Sequence, residues 1–456
     1  MITKKVQVLS ETVKKLLHIH ADENLKNILN KTHHADIAYV LSGMNVSEQT
    51  EVFSLLQSEQ MGTVLSELPL EKAEALLEAL GAERSADILN HVSPDDAADI
   101  LEHLPEELSS AILLRLKKEE AEEVEELIRH RPDTAGGIMS PEVFSLPEEI
   151  TVAEAIAQLQ KSRPVESVFY VYVVNPQGQL VGVLSLKKLI LAGPQAALQD
   201  IMDKDPHRVR VDEDQEEVAR TVSRYNYLSL PVVDASNKLV GVVTVDDVID
   251  VIKEEATEDL LLMTGAGKEA AGKVTLFENL KKRMPWFFVT LIGGLIASEV
   301  IVRYTPFITK IGLLAGFIPL VLAMGGNIGT QSMTIVVSSL LGGRLSMREV
   351  WGAMFREFRL AIILGLSYGL LLAVFIGLRY GAGPFLPVAI GTALALSMII
   401  AVAVGTLIPV LFQKVGIDPA VATGPFVGTL VNIFCMWAYF ALAIYFIGRP
   451  LVGLSS

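Results

Sequence analysis

Cysteine occurs once among the 456 residues, as Cys435 within an apolar run, so no disulfide can form inside the chain. That usage suits a reducing compartment for the front half. Histidine is missing beyond His207, with all eight at or before it. An HExxH intramembrane metalloprotease needs two histidines one helical turn apart to hold zinc, and the apolar part of the chain cannot supply them. No Gly-x-x-x-x-Gly-Lys phosphate loop occurs, which removes the usual machinery for nucleotide hydrolysis. The chain therefore reads as a protein other than an enzyme. Acids are scarce late in the sequence: Glu299, Glu349, Glu357 and Asp418 are the four after Pro285, against nine Lys or Arg. Residues 1–284 hold the other 49 acids with 29 bases, a net charge of −20. So acidic a front half excludes nucleic acid as a partner and favours cations. The N-terminus has no uninterrupted apolar stretch followed by a small-residue cleavage site, so no signal peptide is expected.

Apolar residues are plentiful, at 51% of the chain. Charge-free stretches cover 311–343, 360–378, 380–413 and 419–448, and a fifth, 285–302, carries only Glu299. A bilayer crossing takes about 20 apolar residues, so five transmembrane helices are expected over 283–456. Lys281, Lys282 and Arg283 precede the first, and Arg344, Arg348, Arg356 and Arg359 cluster between the second and third. The positive-inside rule then places the N-terminal half in the cytoplasm and the C-terminus outside.

Residues 1–131 read as short amphipathic helices punctuated by Pro, Gly, Ser and Asp. Ala86–His91 and Ala98–His103 repeat at an offset of 12 with Ser93-Pro94-Asp95-Asp96 as a helix start between them, which predicts a small helical superhelix. Over 132–252 a second repeat appears: Val181–Ile190 matches Val240–Ile249 at an offset of 59, Tyr172-Val173-Val174 matches Pro231-Val232-Val233, and Ile138-Met139 matches Ile201-Met202. Two copies of strand, turn, strand, helix resemble a tandem CBS-domain pair. Residues 253–282 form a charged helical connector broken by Gly265, Gly267 and Gly272.

Two membrane segments carry unusual polarity. The second holds Gly325-Gly326-Asn327-Ile328-Gly329-Thr330-Gln331-Ser332, and polar residues in mid-membrane are costly unless they face protein or water. In the last, Pro425 frees the carbonyl of residue 421, and Gly424, Gly428 and Asn432 recur at i, i+4 and i+8 as one predicted face. Bare carbonyls and an amide are ligands for a hard cation, and Mg2+ could pass with much of its hydration shell retained. Tight packing through small residues and a kinked packing helix are the plainer readings. On the connector side, Asp246, Asp250, Glu254 and Glu258 run at i, i+4, as do Asp247, Val251, Glu255 and Asp259. Like charges so spaced destabilise a helix by about 0.2–0.5 kcal/mol per pair, a strain that a bound cation relieves.

The CBS pair, the connector, the GGNxGTQS run and the Asp418-Pro419-Ala420 … Gly424-Pro425-Phe426 run together resemble the MgtE family of magnesium channels over essentially the whole chain. The resemblance implies a multidomain fold: an α-helical superhelical N-domain, an α/β CBS pair, a connector helix and an all-α five-helix pore domain in a bacterial plasma membrane. It implies a homodimer with a pore lined by the second and fifth helices, taking in Asn432, Gly428, Gly424, Asn327, Gln331 and Asp418. The connector would plug that pore when cytosolic Mg2+ binds the acidic domains. Regulatory positions carried over are Glu59, Asp95, Gly136, Glu216, Asp247, Asp250, Glu255, Glu258 and Asp259. At other such positions stand His91, Ser223 and Asn226, so fewer or weaker sites are expected. Tyr170, Lys187, Tyr227 and Asp246 fall where CBS clefts hold adenine nucleotides, which implies ATP there. The family's pore-lining acid is replaced by Asn432, which keeps open a transporter or exchanger of another divalent cation with Glu299 and Glu357 as determinants. A non-conducting membrane-anchored sensor is the third reading, and an anchor has no need of polar residues in its second and fifth helices.

Overall fold

The computed structural model describes residues 4–161, 169–264, 276–310, 312–341, 347–381, 383–420 and 423–452. The connector glycines Gly265, Gly267 and Gly272, Arg344 and the residue-421 carbonyl lie outside them. The chain divides into two units, Met1–Lys253 and Glu254–Ser456.

The first unit opens with helices α1 (Lys4–His18), α2 (Asp22–Leu29), α3 (His34–Ser42), α4 (Val46–Phe53), α5 (Ser58–Ser66), α6 (Leu70–Leu89), α7 (Pro94–His103), α8 (Glu106–Leu113) and α9 (Lys118–Ile128). Their starts follow local chemistry. Asn45 and Glu48 form a reciprocal capping box at α4, worth about 1 kcal/mol. Pro94, with no N–H to satisfy, opens α7 after Ser93. The 12-residue repeat is a repeat of burial: Ala86, Ile88 and Leu89 on α6 correspond to Ala98, Ile100 and Leu101 on α7. Within α6 the chain kinks at Gly81, whose φ of 75° favours glycine.

The α/β part contains β1 (Ser145–Pro147), α10 (Val152–Leu159), β2 (Tyr170–Val174), β3 (Leu180–Ser185), α11 (Leu186–Leu191), α12 (Leu198–Ile201), β4 (Val209–Arg210), α13 (Gln215–Tyr225), β5 (Ser229–Val233), β6 (Leu239–Thr244) and α14 (Val245–Thr264). Two three-stranded sheets, β1-β2-β3 and β4-β5-β6, share one plan: a parallel first pair, an antiparallel second pair and a bulge at the same place in each. The offset of 59 thus joins β2 to β5 and β3 to β6. A buried hydrogen bond of 2.8 Å between the Tyr172 and Ser229 hydroxyls ties the repeats together.

One arrangement departs from a simple tandem. Ser140, at the start of the first repeat, pairs with Val242 on β6 of the second, and Met139 lies over Gly241. Asp203, which follows the first repeat, pairs with Val183 on β3, under Met202. The apolar core agrees: buried residues of the helical domain are continuous with Val209, Val232, Val243 and Val248 of the second repeat. Leu146, Val171 and Leu184 of the first repeat form a separate cluster.

The second unit comprises the end of α14, then α15 (Leu276–Arg303), α16 (Thr305–Lys310), α17 (Leu313–Leu341), α18 (Met347–Tyr380), α19 (Phe385–Val415) and α20 (Gly428–Val452). Five of these are long and apolar enough to cross a membrane, over Arg283–Arg303, Leu313–Leu340, Arg348–Tyr380, Phe385–Val415 and Gly424–Phe446. Helix α18 begins thirteen residues ahead of the charge-free run at 360. Small residues set the packing. Gly365 and Gly369 of α18 meet Ala395 and Gly391 of α19 backbone to backbone. A Cβ on Gly405 of α19 would sit 2.6 Å from the Gly329 carbonyl oxygen of α17, and one on Gly325 would sit 2.8 Å from Cys435 Sγ on α20. Met263, near the end of α14, packs against this membrane core.

Candidate ion pathway and regulatory site

Helix α17 carries no charge between Leu313 and Leu341. Its exposed residues include Asn327, Thr330, Gln331, Thr334 and Ser338, an i, i+4, i+7, i+11 stripe once Thr330 is set beside Gln331. Sequence reading reached Gln331 and stopped; the same spacing carries the polar face two turns further. On α20, Asn432 is exposed and Gly428 half-buried. The two helices pack together where Gly329 meets Val431, so two exposed polar sets lie on adjacent helices.

The predicted i, i+4, i+8 face of the last segment needs correction. Thr423–Val427 forms a π-helical turn, and Gly424 has φ −56° and ψ −121°, outside helical values. Regular α20 starts only at Gly428, so Gly428 and Asn432 share a face while Gly424 belongs to the turn before it. Pro425, which cannot donate to a helical ladder, and the freedom of Gly424 account for the break. Asp418 is exposed, and its Oδ1 accepts from the Ala420 N–H at 2.7 Å. Glu299 is exposed, whereas Glu357 is buried and accepts a 2.9 Å hydrogen bond from Ser332.

In the first unit the structure brings together two of the nine acidic-site positions. Asp95 sits in the first turn of α7, and Asp247 at the start of α14. Burial, then the neighbouring Asp96, pushes the Asp95 carboxyl up to about 6, and its Oδ1 is buried with no hydrogen-bond partner. Burial, then Asp95, pushes Asp247 up to about 7, although Thr244 donates to it from both its N–H and its hydroxyl. Asp95 is near enough to act on the Asp247 carboxyl, and one Asp95 oxygen is orphaned, an arrangement that a cation completes. Among the described residues no three His, Cys, Asp or Glu side chains converge as a metal cage. Mg2+ fits such a sparse pair, since it keeps several waters and takes one or two carboxylates.

The remaining positions are dispersed. Glu59 is exposed on α5. Gly136 leaves room for His130 and Val211, both of which a Cβ would approach at 2.8 Å. Glu216 pairs with Arg220 at 2.6 Å, and Asp250 with Lys253 at 2.6 Å. Glu255, Glu258 and Asp259 follow on α14, each with interactions of its own.

At the CBS cleft, Tyr227 is half-buried and its hydroxyl lies 2.7 Å from His207 Nδ1. Burial, then Tyr225, Asp203 and Tyr170, holds that hydroxyl above the usual phenol range. His207 stacks on Tyr225 with ring centroids 4.2 Å apart. Tyr170 and Tyr227 are thus close, while Lys187 and Asp246 are exposed at the starts of α11 and α14. His207 and Tyr225 escaped the sequence reading, which took its cleft residues from the family resemblance.

Family models match along the chain: "MgtE intracellular N domain" over 32–133, "CBS domain" over 135–194 and 198–254, and "Divalent cation transporter" over 318–442. A magnesium transporter MgtE of Bacillus subtilis is 35% identical over 333 residues, 73% of this chain and 74% of its own length. The chain belongs to the MgtE family. A magnesium transporter MgtE of Thermus thermophilus is 36% identical over 328 residues, covering 70% of this chain and 72% of the relative. The crystal structure of the cytosolic domain of the Mg2+ channel MgtE in complex with ATP is similar to this chain at a TM-score of 0.51 and 36% identity, over 53% of this chain and 99% of that one. Membership places the chain among multi-pass membrane transporters rather than enzymes, with the helical N-domain, CBS pair and membrane helices that the sequence predicted.

Proposed function

We propose that this chain is a homodimeric Mg2+ channel of the plasma membrane, driven by membrane potential and closed by Mg2+ on its cytosolic face. The observation that carries the reading is the exposed polar stripe on the charge-free α17 beside Asn432 on α20. A lipid-facing helix has no use for five such side chains, whereas a partly hydrated cation does. Two copies arranged about an axis at this face would enclose a path lined by Asn327, Gln331, Gly428 and Asn432, with Gly424 and Asp418 toward its cytoplasmic mouth. Inward potential supplies about 2.3 kcal/mol per charge per 100 mV. The relatives are magnesium transporters by name, which supplies the ion.

Closure rests on Asp95 and Asp247. Mg2+ bound between them relieves the repulsion of two half-buried carboxylates and holds α7 against the root of α14. The connector over 253–282 then acts as the plug, and Met263 against the membrane core is consistent with that role. Glu59, Gly136, Glu216, Asp250, Glu255, Glu258 and Asp259 would add weaker sites, and the Tyr170, Lys187, Tyr227 and Asp246 cleft would bind ATP. The N-terminal half faces the cytoplasm and the C-terminus lies outside.

Asn432 favours a second reading, passage of another divalent ion, because a neutral amide lacks the attraction of a carboxylate. Flux of Mg2+, Ca2+, Mn2+, Zn2+ and Co2+ into liposomes under an inside-negative potential separates the two, with Asn432→Asp alongside. Potential-driven Mg2+ entry, stopped by millimolar Mg2+ on the sensor side, is the expected result. Exclusion of Mg2+ with passage of another ion would transfer the reading to that ion, and no flux at all would sink both.

A further inference from the structure

Among the described residues, the buried polar side chains are Gln49, Ser85, Thr134, Ser229, Ser332, Glu357, Ser397 and Thr406, and Glu357 alone among them can carry charge. It is 5% exposed, on α18, among the buried Val350, Met354 and Ala361. A carboxyl group in such surroundings is costly unless hydrogen-bonded. Its recorded partner is Ser332 Oγ, at 2.9 Å, on α17. Ser332 lies nine residues before the end of α17 at Leu341, and Glu357 ten residues after the start of α18 at Met347. At about 1.5 Å per residue the two sit at one depth, roughly 14 Å from the helix ends that face each other across 342–346.

Ser332 directly follows Gln331, so the two side chains leave α17 about 100° apart. Helix α17 meets its neighbours through glycine surfaces, Gly325 against Cys435 and Gly329 against Gly405 and Ala401, and through the buried Phe317, Val321, Ile328, Met333 and Val337. Glycine surfaces allow close approach, and apolar packing carries no directionality of its own. A directional hydrogen bond from a neighbouring helix supplies what they lack. We infer that Glu357 is a positioning residue for the ion path: by accepting from Ser332 it fixes the rotation of α17 that presents Asn327, Gln331 and Thr334 to the cation. The inference rests on reading that stripe as the path.

The roles of bond and charge separate by substitution. Ser332→Ala removes the donor and keeps the carboxylate; Glu357→Gln keeps an acceptor oxygen and removes the charge; Glu357→Ala removes both. Each is reconstituted at matched amounts of monodisperse protein, and Mg2+ flux is measured with the Mg2+ to Ca2+ flux ratio. Loss of a hydrogen bond to a charged group predicts roughly tenfold lower flux in Ser332→Ala and Glu357→Ala. Their ion ratio should move toward Ca2+ as the stripe loses its register. Glu357→Gln should restore wild-type flux and ratio. A Ser332→Ala protein that matches wild type, or a Glu357→Gln protein as poor as Glu357→Ala, overturns the assignment; the second pattern would make Glu357 an electrostatic element instead. If wild type itself passes no divalent cation, the ion-path reading falls and this inference with it, a result distinguishable from failure of the variants alone. Ser332→Ala is the small change that decides the matter should Glu357→Ala fail to assemble.

Discussion

Replacing Asp95 by Asn should stabilise α7 at alkaline pH and leave it unchanged in acid. The folded chain holds Asp95 at about 6 and Asp247 at about 7, against 3.8 for a free carboxyl. Both therefore bind protons more tightly folded than unfolded. Their contribution to stability is fully present below about pH 4 and is lost as pH rises through 6 to 7. Ionising Asp95 alone costs the folded state about 3 kcal/mol, and Asp247 costs about 4 kcal/mol, part of it from repulsion by Asp95. Because the pair is coupled, those costs overlap, and Asn at position 95 should recover about 2 kcal/mol at pH 8, a factor of about thirty in a local opening equilibrium. Amide hydrogen exchange across Pro94–His103 in the full chain reads that equilibrium directly as protection factors. Millimolar Mg2+ should raise wild-type protection at pH 8 and do little for Asp95→Asn. Equal protection of wild type and variant at pH 8, or the same gain at pH 5, would refute the neighbouring-carboxylate argument.

Two further outcomes follow from geometry. Gly405→Val would drive a side chain into the Gly329 carbonyl, 2.6 Å from where its Cβ must lie, and overpacking predicts a loss of about 1–3 kcal/mol, visible as a lower thermal unfolding temperature in detergent. Tyr227→Ala should weaken ATP binding by about 1–3 kcal/mol by calorimetry if the ring is a base-stacking surface, with Tyr227→Phe retaining most of it.

Much of the fold could be read from spacing alone. The offset of 59 fell on β2/β5 and β3/β6 because strand alternation and turn residues recur wherever one fold is built twice. The five apolar runs became five helices, since a bilayer-length run has few other folded forms. What escaped was whatever depends on partners distant in sequence. The matching Ile138-Met139 and Ile201-Met202 pairs could be seen, but not that Met139 covers the far repeat. Gly424 looked like a member of a helical face because periodicity assumes a regular helix, and the π-turn breaks that assumption at Pro425. For the candidate site, spacing indicated the acids of α14, and the family resemblance supplied Asp95 on α7. Only the fold shows that Asp95 comes near Asp247 while Glu216 and Asp250 are taken up by Arg220 and Lys253.

The exchange of Ser140 onto β6 ties the start of the first CBS repeat to the strand that leads into α14. Ser140 bonds Val242, three residues before α14 begins at Val245. Val248, at the root of that helix, belongs to the apolar core shared with the helical domain, so sheet and core reach α14 together. The remainder of the first CBS repeat, with its own core around Leu146, Val171 and Leu184, stands outside that continuity.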